Sequence, residues 1–181
     1  MVYVFLADGF EEVEAITPID YLRRAGLQLR TVGVSGKTVV GAHGIEIATD
    51  IKAKSIVLDS ELQMIVLPGG MPGTINLANN KFVNDAIDYC VGNDIPIGAI
   101  CAAPSILGDK GLLDGKTATC YSGFEKSLKG ATIGDTPVCK DGNYITAKSA
   151  AYAQDFAFTL GETLCGEEAL SDLKSALLIE N

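Results

Sequence analysis

A chain of 181 residues, 48% of them hydrophobic, can bury a sizeable core without disulfides and is expected to form one domain over residues 1–181. Its formal net charge of −9 argues against nucleic acid or anionic membrane as partners, because both need clustered lysine and arginine. Five cysteines with no C-x-x-C pair, and one histidine in the whole chain, fit neither a disulfide framework nor a zinc site, so no metal is expected and reduced thiols in a cytoplasmic setting are.

The chain opens on Val2–Leu6, an apolar run without a basic leader, which reads as a strand and not as a signal peptide. Asp8-Gly9-Phe10-Glu11-Glu12-Val13-Glu14 follows, and apolar spacings of three and four predict a helix over Glu11–Ala25. Pro18 falls inside that pattern and predicts a kink or restart, while Gly26 closes it. Gln28–Val34 reads as a strand, and Val39–Ile47 brackets a glycine turn as a hairpin. Met64–Leu67 is a strand ending on Pro68-Gly69-Gly70-Met71-Pro72-Gly73, and Thr74–Gly92 is helical in one or two pieces. The strand Ile95–Ile100 stops at Cys101 before a helical Ala103–Gly108. Thr117–Cys120 and Tyr144–Ala147 read as strands, with Asp141-Gly142 turning a second hairpin. A late helix covers Ala150–Leu164, with Gly166 as its stop. Strands alternating with helices predict an α/β fold: a mostly parallel central sheet flanked by helices on both faces, the hairpins being additions to it. No long apolar run approaches the roughly 20 residues that span a bilayer.

Sheets of this kind place their chemistry at the carboxyl ends of strands, so the loops at Asp8, Pro68 and Cys101 compete for the site. Cys101 is the first candidate. A strand that ends at a cysteine flanked by small residues and leads into a helix is a nucleophile elbow, whose following amides favour the reactive thiolate. The other reading is a buried small hydrophobe, as most free cysteines are. Glu14 is the second candidate: turned inward beside a thiol it would be partly desolvated, its pKa raised, and its protonated form able to donate to a thiolate or an oxidised sulfur. Pattern alone does not separate it from Glu11 and Glu12, which read as an exposed acidic face at a helix start. The Gly69-Gly70 loop can present backbone N–H groups as an oxyanion hole, whereas it makes a poor phosphate cradle, and no cofactor is expected. His43 sits in a hairpin turn away from the strand ends and reads as a surface or interface residue, which leaves Cys101 without the imidazole of a Cys–His hydrolase.

Four segments together, Asp8–Ala15, Leu67–Gly73, Ala99–Pro104 and Ala118–Glu125, resemble the ThiJ/PfpI superfamily, and within it the deglycase branch with its bacterial-type members. The resemblance covers almost the whole chain in order. It implies a flavodoxin-like three-layer sandwich, a homodimer, and Cys101 as an oxidation-sensitive nucleophile hydrogen-bonded by a protonated Glu14. It also implies that the N–H groups of Gly70 and Ala102 face the reactive centre, and it matches Arg24 to an arginine near the dimer interface, where a solvated helix charge is the simpler reading. Cys120 stands in the fourth motif either as a resolving thiol or as a structural residue. The chain departs from the pattern in three places. Ala102 stands where protease-like members carry histidine, no histidine follows Cys120, and Lys148–Tyr152 replaces a Gly-Pro-Gly-type turn. The activity implied is glutathione-independent glyoxalase or deglycase chemistry on methylglyoxal or glyoxal adducts, and not a Cys–His peptidase. The alternative is a redox sensor or chaperone-like dimer whose Cys101 oxidises to sulfinate in an oxidative stress response. The implied partner is accordingly a small aldehyde or an oxidant.

Overall fold

The computed structural model of the protein describes residues 1–179. Its centre is a seven-stranded sheet in the order β10-β11-β7-β6-β1-β2-β5. These strands are β1 (Val2–Leu6), β2 (Leu29–Gly33), β5 (Ile51–Lys52), β6 (Met64–Leu67), β7 (Ile97–Ile100), β10 (Val138–Asp141) and β11 (Tyr144–Ala147). All neighbours run parallel except the hairpin pair β10 and β11. The second predicted hairpin is therefore not an addition to the core. Its strand β11 pairs with β7, Tyr144 opposite Ile97 and Ala147 opposite Ile100, and forms part of the main sheet. The first hairpin, β3 (Thr38–Val40) with β4 (Glu46–Ala48), does stand apart as its own two-stranded sheet. A further parallel pair, β8 (Thr117–Ala118) with β9 (Thr132–Ile133), lies outside the main sheet.

β1 is buried along its whole length, so its alternation divides two cores instead of dividing core from solvent. Tyr3, Phe5 and Ala7 face one layer with Ile65, Leu67, Leu77, Val83 and Ile87. Val2, Val4 and Leu6 face the other with Met64, Val66, Ile19, Leu22, Phe156 and Leu160. The first layer is closed by α2 (Gly73–Ala78), α3 (Lys81–Gly92) and α4 (Pro104–Asp109), the second by α1 (Glu12–Arg24) and α5 (Ala153–Ala176). Each fully buried Phe or Leu in these layers contributes about 1.5–3 kcal/mol, an upper bound because the unfolded chain already hides some of that surface. Gly98 in β7 marks where α5 comes closest: a Cβ there would stand 2.6 Å from Leu160 Cδ2 and 3.1 Å from Phe156 Cζ.

The helix boundaries have local causes. Asn80 caps α3, its side chain accepting from the N–H groups of Phe82 (2.9 Å) and Val83 (3.3 Å), and this cap splits the predicted Thr74–Gly92 segment in two. Gly26, at φ +78°, follows the end of α1. Of the two outcomes expected at Pro18, the helix does not restart: α1 runs through it as one element. Burial of Ala15, Pro18, Ile19 and Leu22 against the sheet and α5 offsets the missing bond, and the carbonyl that loses its i+4 donor is that of Glu14. Gly166 interrupts the last helix at φ 79°, ψ 174°, as its role of stop predicts, yet helical backbone resumes after it and continues to Ala176. The resumed segment buries Leu170 and Leu173 with Phe158, against Tyr21 of α1. No helix among the described residues is long and apolar enough to cross a membrane.

Candidate functional site

The chain leaves β1 toward β2 on one side and returns on the other through β6 and β7, so the carboxyl ends of β1, β6 and β7 lie side by side at the point where strand order reverses. The three competing loops meet there. The N–H of Glu11 donates to the carbonyl of Gly69 at 2.9 Å, and the N–H of Gly73 to that of Gly9 at 3.2 Å, which ties the first two together. Gly70, at φ +90°, packs its α-carbon onto the backbone of Gly9, Phe10 and Glu11, leaving no space for a Cβ.

Cys101 occupies the end of β7 with φ +64°, a left-handed conformation that costs a non-glycine residue roughly 1–2 kcal/mol. Hydrogen bonds on both sides hold it there. Its N–H donates to the Ala147 carbonyl at 2.8 Å, and its own carbonyl accepts from the Tyr121 N–H at 2.7 Å. The side chain is partly buried beside the layer that holds Phe10, Ala15 and Ile100. The elbow is real, but the helix after it is not the source of charge stabilisation that the sequence suggests. α4 has only six residues and begins with Pro104, which has no N–H, while the amides of Ala103 and Ser105 are used by the carbonyls of Ile100 and Ala102. The Ala102 amide remains for the sulfur, joined by that of Gly70 from the β6 loop.

Glu14 is 1% exposed, and its Oε2 accepts the N–H of Gly69 at 3.0 Å. The Ala150 amide also favours its charged form, so the segment Lys148–Tyr152, where a Gly-Pro-Gly-type turn was expected, still turns a backbone N–H toward the site. A Cβ on Gly69 would lie 2.6 Å from Glu14 Oε2 and 2.7 Å from Cys101 Cβ, which shows how closely the three residues converge. Burial pushes the Glu14 carboxyl up to about 7, against the hydrogen bonds from Cys101, Gly69 and Ala150. Burial likewise pushes the Cys101 thiol up to about 12, reinforced by the charge and hydrogen bond of Glu14 and opposed by the amides of Ala102 and Gly70. A freely ionised Cys101 thiolate, as the elbow alone suggests, is therefore not what the surroundings favour while Glu14 is charged. Above about 7 the pair retains one proton between its two sites, which these shifts leave chiefly on the thiol, and a thiolate exists only when that proton sits on Glu14.

Glu12 differs from its expected place on an exposed acidic face. It is 6% exposed and holds the turn of the β3–β4 hairpin, with Oε1 accepting from the N–H groups of His43 (2.8 Å) and Ile45 (3.4 Å). Gly41 has no side chain because the Glu12 carboxylate fills that space. Burial pushes the Glu12 carboxyl up, but its bonds to His43, Ile45 and its own backbone outweigh this and leave it below the usual range. His43 Nδ1 faces Glu12 Oε2 at 2.8 Å and Glu11 Oε2 at 3.6 Å, with the ring largely in solvent. Arg24 pairs with Asp20 at 2.7 Å along α1 and is half exposed, as a solvated helix charge would be. Cys120 packs in the other core layer, among Leu113, Ala118 and Leu128, although the next residue, Tyr121, bonds the Cys101 carbonyl through its N–H. Sequence reasoning pointed to the Gly69-Gly70 loop as a source of backbone N–H groups but had no signal for Ala147 or the Tyr121 N–H, whose contributions are backbone groups. Nor did it anticipate the gathering of Glu11, Glu12 and His43.

Comparison with known proteins agrees with this architecture. The DJ-1/PfpI family matches residues 1–163. A dj-1beta protein of Drosophila melanogaster is 33% identical over 179 residues, covering 97% of this chain and 95% of its own. A glutathione-independent glyoxalase of Caenorhabditis elegans is 33% identical over 171 residues, covering 93% and 90%. Among solved structures, a cysteine-to-alanine variant of a DJ-1 superfamily protein from Salmonella typhimurium superposes with a TM-score of 0.92 at 32% identity, over 99% of this chain and 98% of that one.

Proposed function

The chain belongs to the DJ-1/PfpI family, and from that premise we propose that it is a cysteine-dependent, glutathione-independent glyoxalase or deglycase acting on methylglyoxal or on early glyoxal adducts. The observation that carries the reading is the convergence of Cys101 with the buried Glu14 and the amides of Gly70 and Ala102. The relative named as a glutathione-independent glyoxalase supports it.

The chemistry follows from the shared proton. With that proton on Glu14, the Cys101 sulfur adds to the aldehyde carbon, the C=O π pair moves onto oxygen, and the carboxylic acid protonates that oxygen to give a hemithioacetal. The Gly70 and Ala102 amides stabilise the oxygen as its charge develops. The Glu14 carboxylate then removes the hydrogen from the carbon bearing sulfur. The resulting enediol takes a proton at the neighbouring carbon, leaving a thioester on Cys101. Water hydrolyses that thioester to lactate and returns the thiol. The sum is methylglyoxal plus water to lactate, with no external oxidant or reductant. Methylglyoxal turnover is expected in the wild-type protein, none in Cys101→Ser, and a steep loss in Glu14→Gln. Absence of wild-type turnover removes this reading.

A second reading rests on the lack of any imidazole beside Cys101. In it the protein is a redox sensor or chaperone-like dimer, in which two equivalents of peroxide convert the thiolate to sulfinate, held by the protonated Glu14. Mass spectrometry after mild peroxide separates the two: gain of two oxygens chiefly at Cys101 in a protein without aldehyde turnover favours sensing. We carry the homodimer and the cytoplasmic setting forward as part of the proposal. Val13 and Ile16, 49% and 42% exposed and one turn apart on α1, offer apolar surface for a second copy, and light scattering of the purified protein tests it.

A further inference from the structure

We propose that Glu11, Glu12 and His43 form a binding site for a divalent transition cation of the zinc class, which clips the β3–β4 hairpin to the start of α1. The sequence inventory argued against a metal because it counted cysteine-rich and multi-histidine ligand sets. The fold instead brings two carboxylates from α1 and its preceding residue to the only imidazole, across 31 residues of sequence.

The ligand atoms are already grouped. One oxygen from each glutamate and one nitrogen of His43 all lie within 4.8 Å of one another. Zinc–nitrogen and zinc–oxygen bonds of about 2.0–2.2 Å place tetrahedral ligand atoms about 3.3 Å apart. The separations from His43 Nδ1, 2.8 Å to Glu12 Oε2 and 3.6 Å to Glu11 Oε2, bracket that value, and with all three ligand atoms inside 4.8 Å of one another side-chain adjustment brings them onto one ion.

The electrostatics call for a cation. Glu12 is more than nine-tenths buried, and Glu11 turns a second carboxylate toward it. Among the described residues neither glutamate makes an ion pair with lysine or arginine, and His43 is the one group of positive character that meets them. Two converging carboxylates outweigh the partial positive charge of the α1 N-terminus, which alone would repel a metal.

The cluster is also preorganised. Glu12 Oε1 is fixed by the two hairpin amides, which leaves Oε2 directed at the imidazole, and Gly41 keeps the space open. The His43 ring is 69% exposed, so an ion seated here keeps an open face for water. An imidazole with two carboxylates selects zinc, cobalt, nickel or copper over magnesium or calcium, which prefer all-oxygen shells with more ligands.

Because the chain has one histidine, nitrogen-15 labelling of histidine reports on this site alone, whatever the cysteines bind. Titration of the intact protein with zinc chloride is expected to move the His43 Nδ1 resonance while Nε2 moves less. By the same readout affinity is expected to fall about a hundredfold or more in Glu11→Gln, and in His43→Gln zinc should no longer raise the melting temperature. His43 is largely exposed and Glu11→Gln keeps the shape of the side chain, so both variants are expected to fold, and a melting curve without metal verifies it. An Nδ1 resonance unmoved by saturating zinc overturns the proposal, as does equal zinc stabilisation of the wild-type and His43→Gln proteins. No step of the carbonyl chemistry enters this test, so the two proposals stand or fall separately.

Discussion

Gly69 and Glu14 are joined by a buried hydrogen bond, the Gly69 N–H donating to Oε2 at 3.0 Å, and this bond sets the carboxyl beside the Cys101 thiol. It also means that the β6 loop, through one glycine, fixes both the height of the carboxyl and the free space next to the sulfur.

Gly69→Ala tests that dependence. The new methyl group would stand 2.6 Å from Glu14 Oε2 and 2.7 Å from Cys101 Cβ, both far inside contact distance. Relief requires moving the backbone, at a cost of about 1–3 kcal/mol. We expect a folded protein of lower melting temperature whose Cys101 alkylation rate and methylglyoxal turnover both drop by about tenfold or more. Turnover equal to wild type would show that the loop has slack that its contacts do not suggest.

The shared proton predicts a particular pH profile for Cys101. Below about 7 both groups are protonated and the sulfur is a poor nucleophile. As pH rises through that value the pair loses one proton, and the fraction of molecules with the remaining proton on Glu14 carries a thiolate. Reactivity toward iodoacetamide is therefore expected to rise through about 7 and then level off, until the second proton leaves near 12. In Glu14→Gln the rise near 7 should vanish. A single unbroken increase with pH in the wild-type protein would mean the two groups titrate independently.

Much of this could be read before the fold was known, for physical reasons that differ by residue. β1, β6 and β11 are apolar runs closed by loop chemistry at both ends, and their limits agree with the sequence to the residue. Cys101 was legible because a strand stopping at a cysteine between small residues has few uses. Glu12 and Glu14 were not separable, since both lie in the first turn of α1 and both are buried. What distinguishes them is what each meets across space, a hairpin turn for one and the β6 loop for the other. Two-residue strands such as β5 and β9 carry no periodicity to detect, whereas β8 falls within the expected Thr117–Cys120 strand but stops after two residues. The helix beyond Gly166 was hidden because a glycine at that position reads equally as an end and as a bend.

Cys120 is expected to be a packing residue. It packs in the core layer of Leu113, Ala118 and Leu128 and is 6% exposed, and burial pushes its thiol up to about 11. Cys120→Ala should leave methylglyoxal turnover per folded molecule unchanged while lowering stability by about 1 kcal/mol. Peptide mapping after peroxide treatment should show no bridge between residues 101 and 120, and recovery of that disulfide in high yield would contradict the placement.

Gly98 gives a control on the core that supports the elbow. A methyl group there meets Leu160 and Phe156 and must force α5 outward. Gly98→Ala is expected to destabilise by about 1–3 kcal/mol in chemical denaturation. The pH profile of Cys101 alkylation should nevertheless keep its shape, because none of the groups that set it changes. A displaced profile would show that the position of α5 is transmitted along β7 to the thiol.

The left-handed backbone at Cys101 has a consequence for how such a protein can lose its chemistry. Glycine adopts that conformation without penalty, so Cys101→Gly would release strain of roughly 1 kcal/mol at the cost of a small buried side chain and a more flexible unfolded chain. For this elbow, then, inactivation and relaxation lie in the same direction. A descendant freed from the need for sulfur could drift to glycine with little resistance from folding, so the residue found at this one position would report whether the reaction is still under selection.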